Sequence, residues 1–265
     1  MLDKSNSESH SREFLRLIEI MRRLRSENGC EWDRAQTHES LRQYLIEEAY
    51  EAVEAIDNSN MDLLREELGD LMLHVVYHAK LGEESGSFDI LAVLEGINDK
   101  LVKRHPHVFN GGDKKSIDEI KMGWEEIKLS EGRDSLLEGI PDTLPALQRS
   151  FRLQEKAASA GFDWKDISGV WDKITEEIDE LREAIENDTE ISIEEEIGDL
   201  LFSIVNLSRF IGVNPEDALR RSSRKFEERF KGIEKSAKTE GREINELSLG
   251  EMDKIWESNK RGEER

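Results

Sequence analysis

Glu47-Glu48-Ala49-Tyr50-Glu51 and Glu66-Glu67-Leu68-Gly69-Asp70-Leu71 stand in the first half of the chain. Glu176-Glu177-Ile178-Asp179-Glu180 and Glu195-Glu196-Ile197-Gly198-Asp199-Leu200 stand in the second. Each residue lies 129 positions from its counterpart, and the polar turn between the segments moves with them, from Asn58 to Asn187. A shared register over two separate segments marks a duplication. Trp32 pairs with Trp164, and Trp124 with Trp256, after small changes in loop length. The halves are read as two domains, 1–132 and 133–265, joined in Glu131-Gly132-Arg133. A unit of this length is a domain of its own and not a short solenoid repeat.

Both halves follow the helical period. Phe14, Leu17, Ile18, Met21 and Leu24 lie on one face of a helix. Further helices are predicted over His38–Ile56, Met61–Leu81, 89–104 and Ser116–Leu129. In the second half they are predicted over Thr143–Ser159, Gly169–Ile185, Glu190–Ile211, Pro215–Lys238 and Leu249–Lys260. Pro215 falls in a first turn, where it is tolerated. Only four prolines occur in 265 residues, and long stretches lack any breaker, so the fold class is all-α.

The net charge is -22, with 60 acidic side chains against 38 lysines and arginines. Such a chain repels bare nucleic acid and anionic membranes, and neither is expected as a partner. A phosphate ligand has to be met through cations or a local basic patch. Cys30 is the sole cysteine, so no intramolecular disulfide forms. The polar N-terminus is no signal peptide, and no apolar run reaches the length of a membrane span, so a cytoplasmic location is expected.

Glu48 and Glu51 are three residues apart and share a helix face, as do Glu67 and Asp70 on the next helix. The short turn makes the two helices antiparallel neighbours, so four carboxylates can converge. Glu177, Glu180, Glu196 and Asp199 repeat the arrangement. Glu177 interrupts the apolar stripe Val170, Ile174, Leu181, Ile185, and Glu48 sits between Leu41, Leu45 and Ala52. On the partner helix Ile193, Ile197, Leu200, Ile204 and Ile211 make the stripe, with Glu196 and Asp199 at its edge. Carboxylates at a helix seam repel each other and lose hydration, so they need a counter-charge. The donors are all oxygen, which favours Mg2+ or Mn2+. One such acidic quartet arises by chance roughly once in a chain this acidic. Two copies with one spacing, each facing a seam, carry more weight. Gly69 and Gly198, each beside a ligand aspartate inside a helix, suggest a close backbone approach there, since glycine costs a helix about 1 kcal/mol relative to alanine.

Cations follow at helical spacing in both copies: Lys100 with Arg104, and Lys225 with Arg229. Each copy closes on an aromatic and a lysine, Trp124 with Lys128 and Trp256 with Lys260. Lys173 precedes Glu177 by one turn. Cations, an aromatic plate and a metal nest together suit a nucleotide. His74 and His78 follow Asp70, but the second copy has Ser203 and Leu207 there, so packing is their expected role.

These features resemble the MazG family of nucleoside triphosphate pyrophosphohydrolases over nearly the whole chain. The carrying motifs are Gly29-Cys30-Glu31-Trp32-Asp33 with Gln36-Thr37, the paired acids of both copies, Arg104-His105-Pro106-His107-Val108-Phe109, and Gly161-Phe162-Asp163-Trp164. The family usually has proline where Glu31 stands. The resemblance implies an all-α fold of four-helix-bundle type completed by homodimerisation, and Mg2+-dependent cleavage of nucleoside triphosphates to monophosphate and pyrophosphate. It implies that Glu177, Glu180, Glu196 and Asp199 hold the ion and that Lys173, Lys225, Arg229, Trp256 and Lys260 contact the nucleotide. The first copy keeps Glu48, Glu51, Glu67 and Asp70 with Lys100, Arg104, Trp124 and Lys128, but has Tyr44 in place of Lys173. The second copy is therefore the expected seat of catalysis, with Glu176, or Glu47 in the first copy, positioning or deprotonating the attacking water. A nucleotide-sensing module without turnover, and an enzyme narrowed to dUTP or phosphoribosyl-ATP, are the alternatives.

Overall fold

The computed structural model describes residues 4–111, 116, 119–120, 123–124, 135–187 and 190–263. The described segments fold as helices: α1 Lys4–Leu24, α2 Glu31–Ala35, α3 His38–Asp57, α4 Met61–Ser85, α5 Ile90–Arg104, α6 Pro106–Phe109, α7 Ala146–Ser159, α8 Ile167–Glu186, α9 Glu190–Phe210, α10 Pro215–Thr239 and α11 Leu249–Glu263, with a 3-10 turn at Ile244–Glu246. Among the described residues no strand occurs. The chain divides into two compact units, 1–115 and 116–265. The boundary expected at Gly132 lies outside the described residues, as does most of the helix expected over 116–129.

In the first unit, caps set where each helix begins. The Thr37 hydroxyl accepts from the Ser40 amide while the Ser40 hydroxyl receives the Thr37 N–H, a reciprocal cap that starts α3. The Asn60 side chain accepts from the Leu63 N–H and starts α4. Ser59, at φ +52°, makes the reversal between them, and α3 and α4 pack along their length. Met21, Leu41, Val76, Tyr77 and Leu81 form the buried core, with Phe14, Leu17, Ile18, Tyr44, Leu73 and Ile90 packed against it. Apolar burial of this kind stabilises by about 25 cal/mol per Å2.

The loop motif Gly29–Asp33 is fastened to that core. The Tyr77 hydroxyl donates to the Asp33 carbonyl at 2.8 Å. The Arg25 guanidinium donates to the same carbonyl and is paired with Glu84 at 2.7 Å. A Cβ on Gly29 would sit 2.1 Å from the Leu24 carbonyl oxygen, so no other residue fits without backbone movement.

The second unit repeats the hairpin. Asp166 caps α8 by accepting from the Ser168 N–H. α8 and α9 pack as α3 and α4 do, and α7 lies against α9, where Gln154 donates to the Phe202 carbonyl at 2.8 Å. Arg209 grips Asp163 of the Gly161–Trp164 motif with two guanidinium nitrogens, at 2.9 and 2.5 Å. α10 opens on Asn214 and Pro215, as expected, and packs on α11 through Ile233, Ala237, Leu247, Met252 and Ile255.

Two expectations are corrected. Ile197, Ile204 and Ile211 are exposed, and among the described residues of α9 Ser203 and Val205 are buried. The stripe read as core therefore points partly outward within the unit. Leu68, Met72 and Val75 of α4 are exposed at the matching positions of Ile197, Leu201 and Ile204. Gly69 and Gly198 meet no close backbone: a Cβ on either finds nothing within 4 Å. Both lie on this outward face.

Candidate metal centres

Each hairpin brings its acids together. Glu48, Glu67 and Asp70 each offer an oxygen within 4.8 Å of the others, and Glu177, Glu196 and Asp199 do the same. The physical cause is the helix period. Glu48 and Glu177 fall on the face that also buries Leu41 and Ala52, or Val170 and Ile174. Glu67 and Glu177 are buried, at 7% and 3% exposure. Glu51 and Glu180, expected as fourth ligands, are exposed and lie outside the three-oxygen sets. They are still close enough for their charge to act: Glu51 is among the groups that raise the pKa of Glu48 and Glu67.

The two clusters balance their charge differently. Burial, then Asp70, Glu51 and Glu67, push Glu48 up to about 7. Burial first, and the charges of Glu51 and Asp70 next, raise Glu67 as well. In the second copy the Lys173 ammonium lies 2.7 Å from an oxygen of Glu177 and 2.7 Å from one of Glu176. The two carboxylates hold its pKa well above the usual lysine value. Burial first, and Glu177 next, raise Glu180.

The donor set fits a divalent cation of the oxygen-loving class. Glu177 is buried on a helix seam, and its Oε2 is enclosed without a hydrogen-bond partner. A buried carboxylate oxygen left so is costly unless a cation meets it.

The remaining expected residues divide. Arg229 lies over the Trp256 ring, 5.5 Å from its centroid, and Phe226 packs on that ring at 5.3 Å. This joins α10 to α11 and assembles one guanidinium with an aromatic surface. Lys225 and Lys260 are exposed. In the first unit Lys100 is exposed, and Arg104 and Trp124 are half-buried. Lys128 lies outside the described residues. Glu47 and Glu176 are exposed beside the first ligand of each set.

His38 was not anticipated. Its Nδ1 lies 2.8 Å from Nδ1 of His78, the rings are stacked 5.0 Å apart, and His74 lies beyond. Forty residues separate His38 from His78, and no periodic signal links them. Burial pulls the pKa of His74 and His78 down, reinforced for His78 by the neighbouring rings. The packing role expected for His74 and His78 agrees with this environment.

A tandem all-α chain with one carboxylate cluster in each hairpin is thus the class that fold and site define. The sequence profile of the MazG nucleotide pyrophosphohydrolase domain matches residues 36–109 and 168–233, one hairpin-centred region in each unit. The chain is 50% identical over 254 residues to the nucleoside triphosphate pyrophosphohydrolase/pyrophosphatase MazG of Thermotoga maritima, covering 95% of this chain and 97% of that one. It is 42% identical over 257 residues to the nucleoside triphosphate pyrophosphohydrolase of Escherichia coli K12, covering 94% and 97%. An uncharacterized protein of Bacillus subtilis, YabN, is 46% identical over 257 residues, which are 96% of this chain and 53% of that longer one. The chain belongs to the MazG family.

Proposed function

We propose that the chain is a nucleoside triphosphate pyrophosphohydrolase that depends on Mg2+, with Mn2+ as a substitute, and releases pyrophosphate and a nucleoside monophosphate. The observation that carries the reading is the three-carboxylate cluster with one buried glutamate, present in both copies, in a family whose relatives are named for this activity. Bound Mg2+ would neutralise phosphate oxygens and lower the pKa of a coordinated water. Glu177, Glu196 and Asp199 would hold it, with the charge of Glu180 acting nearby. The first copy would use Glu48, Glu67 and Asp70, with Glu51.

The chain's own groups supply the rest. Lys173 offers an ammonium beside the cluster, and Lys225, Arg229 and Lys260 offer further charge for phosphate oxygens. Trp256, with Arg229 across its face, is the plate for a base. Glu176, exposed next to Glu177, is placed to orient or deprotonate the attacking water, and Glu47 is its counterpart. Phosphoryl chemistry of this kind needs alignment and charge neutralisation more than covalent participation. We assign the main activity to the second copy, because among the described residues it alone pairs a lysine with a cluster glutamate.

The exposed apolar rows on α4 and α9 support a homodimer, in which a second copy of the chain covers them. No described helix is long and apolar enough to cross a membrane.

The test measures pyrophosphate release from nucleoside triphosphates with Mg2+, in the wild type, in Glu196→Ala and in Glu196→Ala with Glu67→Ala. Release should fall steeply in the single variant and vanish in the double one. Full release in the double variant would refute the assignment.

A further inference from the structure

We propose that Lys173 is an exchangeable counter-ion: it competes with the divalent cation for Glu177, and on cation binding it is transferred to the phosphates of the nucleotide. The inference rests on the metal-site reading above and assigns a regulated order of binding to the second copy.

The geometry is that of one carboxylate with two claims on it. Glu177 Oε1 is held by Lys173 at 2.7 Å, while Oε2 is enclosed and unpartnered. Glu196 and Asp199 bring oxygens within 4.8 Å, so a dication seated among the three has Glu177 as its buried ligand. The two partners differ in freedom. The Glu177 side chain is 4% exposed and is locked in the α8–α9 seam, whereas the Lys173 side chain is 38% exposed on a flexible stem. The lysine is therefore the group that moves. A dication and an ammonium on the same carboxylate repel each other, and the repulsion grows where water is scarce. Glu176 keeps a hold on the displaced ammonium, since the same nitrogen already lies 2.7 Å from it on the solvent side. The ammonium then stands at the rim of the cluster, where phosphate oxygens of a metal-bound nucleotide would arrive.

The first copy supplies the contrast. Its matching residue, Tyr44, packs against the core of Met21, Leu41 and Val76 and offers no cation. Among the described residues no cation is paired with the acids of the first site, so a dication would displace an ammonium only at the second.

The test uses the full chain with Glu67→Gln to silence the first site, and titrates Mn2+ without nucleotide, read by electron paramagnetic resonance. Lys173→Met should tighten Mn2+ binding at the second site about fivefold, the factor for loss of a competing ion pair of about 1 kcal/mol. Misfolding cannot produce tighter binding. In the otherwise native chain Lys173→Met should raise KM for the triphosphate more than it lowers kcat, and Lys173→Arg should restore KM. Unchanged or weaker Mn2+ binding in Lys173→Met overturns the exchange. Adding Glu177→Gln separates the two ideas. Retained Mn2+ binding in that variant means the metal site itself is misplaced. Lost binding there, with no gain in Lys173→Met, means the site is right and the exchange wrong.

Discussion

The two hairpins solve one electrostatic problem in different ways. α3–α4 and α8–α9 each bury a glutamate on the seam and bring two more carboxylates to it. In the first unit the position one turn ahead of Glu48 is Tyr44, given over to packing, and burial with the neighbouring acids pushes Glu48 up to about 7. In the second unit that position is Lys173, and an ammonium fills the role. A duplicated framework thus keeps its acids while its neutralising charge diverges. The divergence leaves a partly exposed cation beside the acids of the second unit, the group the proposed exchange would use.

The sharpest way to break this comparison is at the acids. Glu196→Ala should lower pyrophosphate release by about a hundredfold or more, the scale expected when a transition-state charge loses its support. Glu67→Ala should cost less, and equal losses from both would make the copies equivalent.

Gly29→Ala should destabilise by about 2–4 kcal/mol, since its Cβ would overlap the Leu24 carbonyl, and thermal unfolding would register it. Gly69→Ala and Gly198→Ala, in open helix interiors, should each stabilise the isolated protomer by about 1 kcal/mol. Equal gains in both copies agree with matched surroundings. A simultaneous weakening of self-association, read by sedimentation, would mark their face as the dimer contact.

The smallest effect distinguishes the copies by pH. His78 is held neutral by burial and by its ring neighbours, and the second copy has Leu207 in its place. The unfolded chain takes up a proton near 6.5 that native His78 resists, so native stability declines as pH falls below that value. His78→Gln should make the melting temperature less sensitive to pH between about 7 and 5. An unchanged slope would assign the dependence elsewhere.

The helices, the hairpin turns and the identity of the clustered acids were legible in the sequence. They rest on local rules: a 3.6-residue period, caps such as Thr37, Asn60 and Asp166, and a repeated register. The Glu48 and Glu177 positions were legible for the same reason, since each breaks an apolar stripe. Other features were not. Ile197 and Ile204 read as core because periodicity marks an apolar face without saying which neighbour covers it. Gly198 read as a close approach for the same reason. The meeting of His38 with His78, and of Arg209 with Asp163, depends on where distant helices end up.

By itself the sequence determined that this is a twice-repeated helical chain with carboxylates drawn into each seam, because those properties follow from spacing along a single helix or between two joined by a short turn. Only the tertiary structure decided that three acids and not four close within ligand distance, that Lys173 rests on Glu177, and that Tyr44 turns to the core. Those outcomes are set by how far each side chain reaches across a packed interface, and spacing along the chain does not carry that distance.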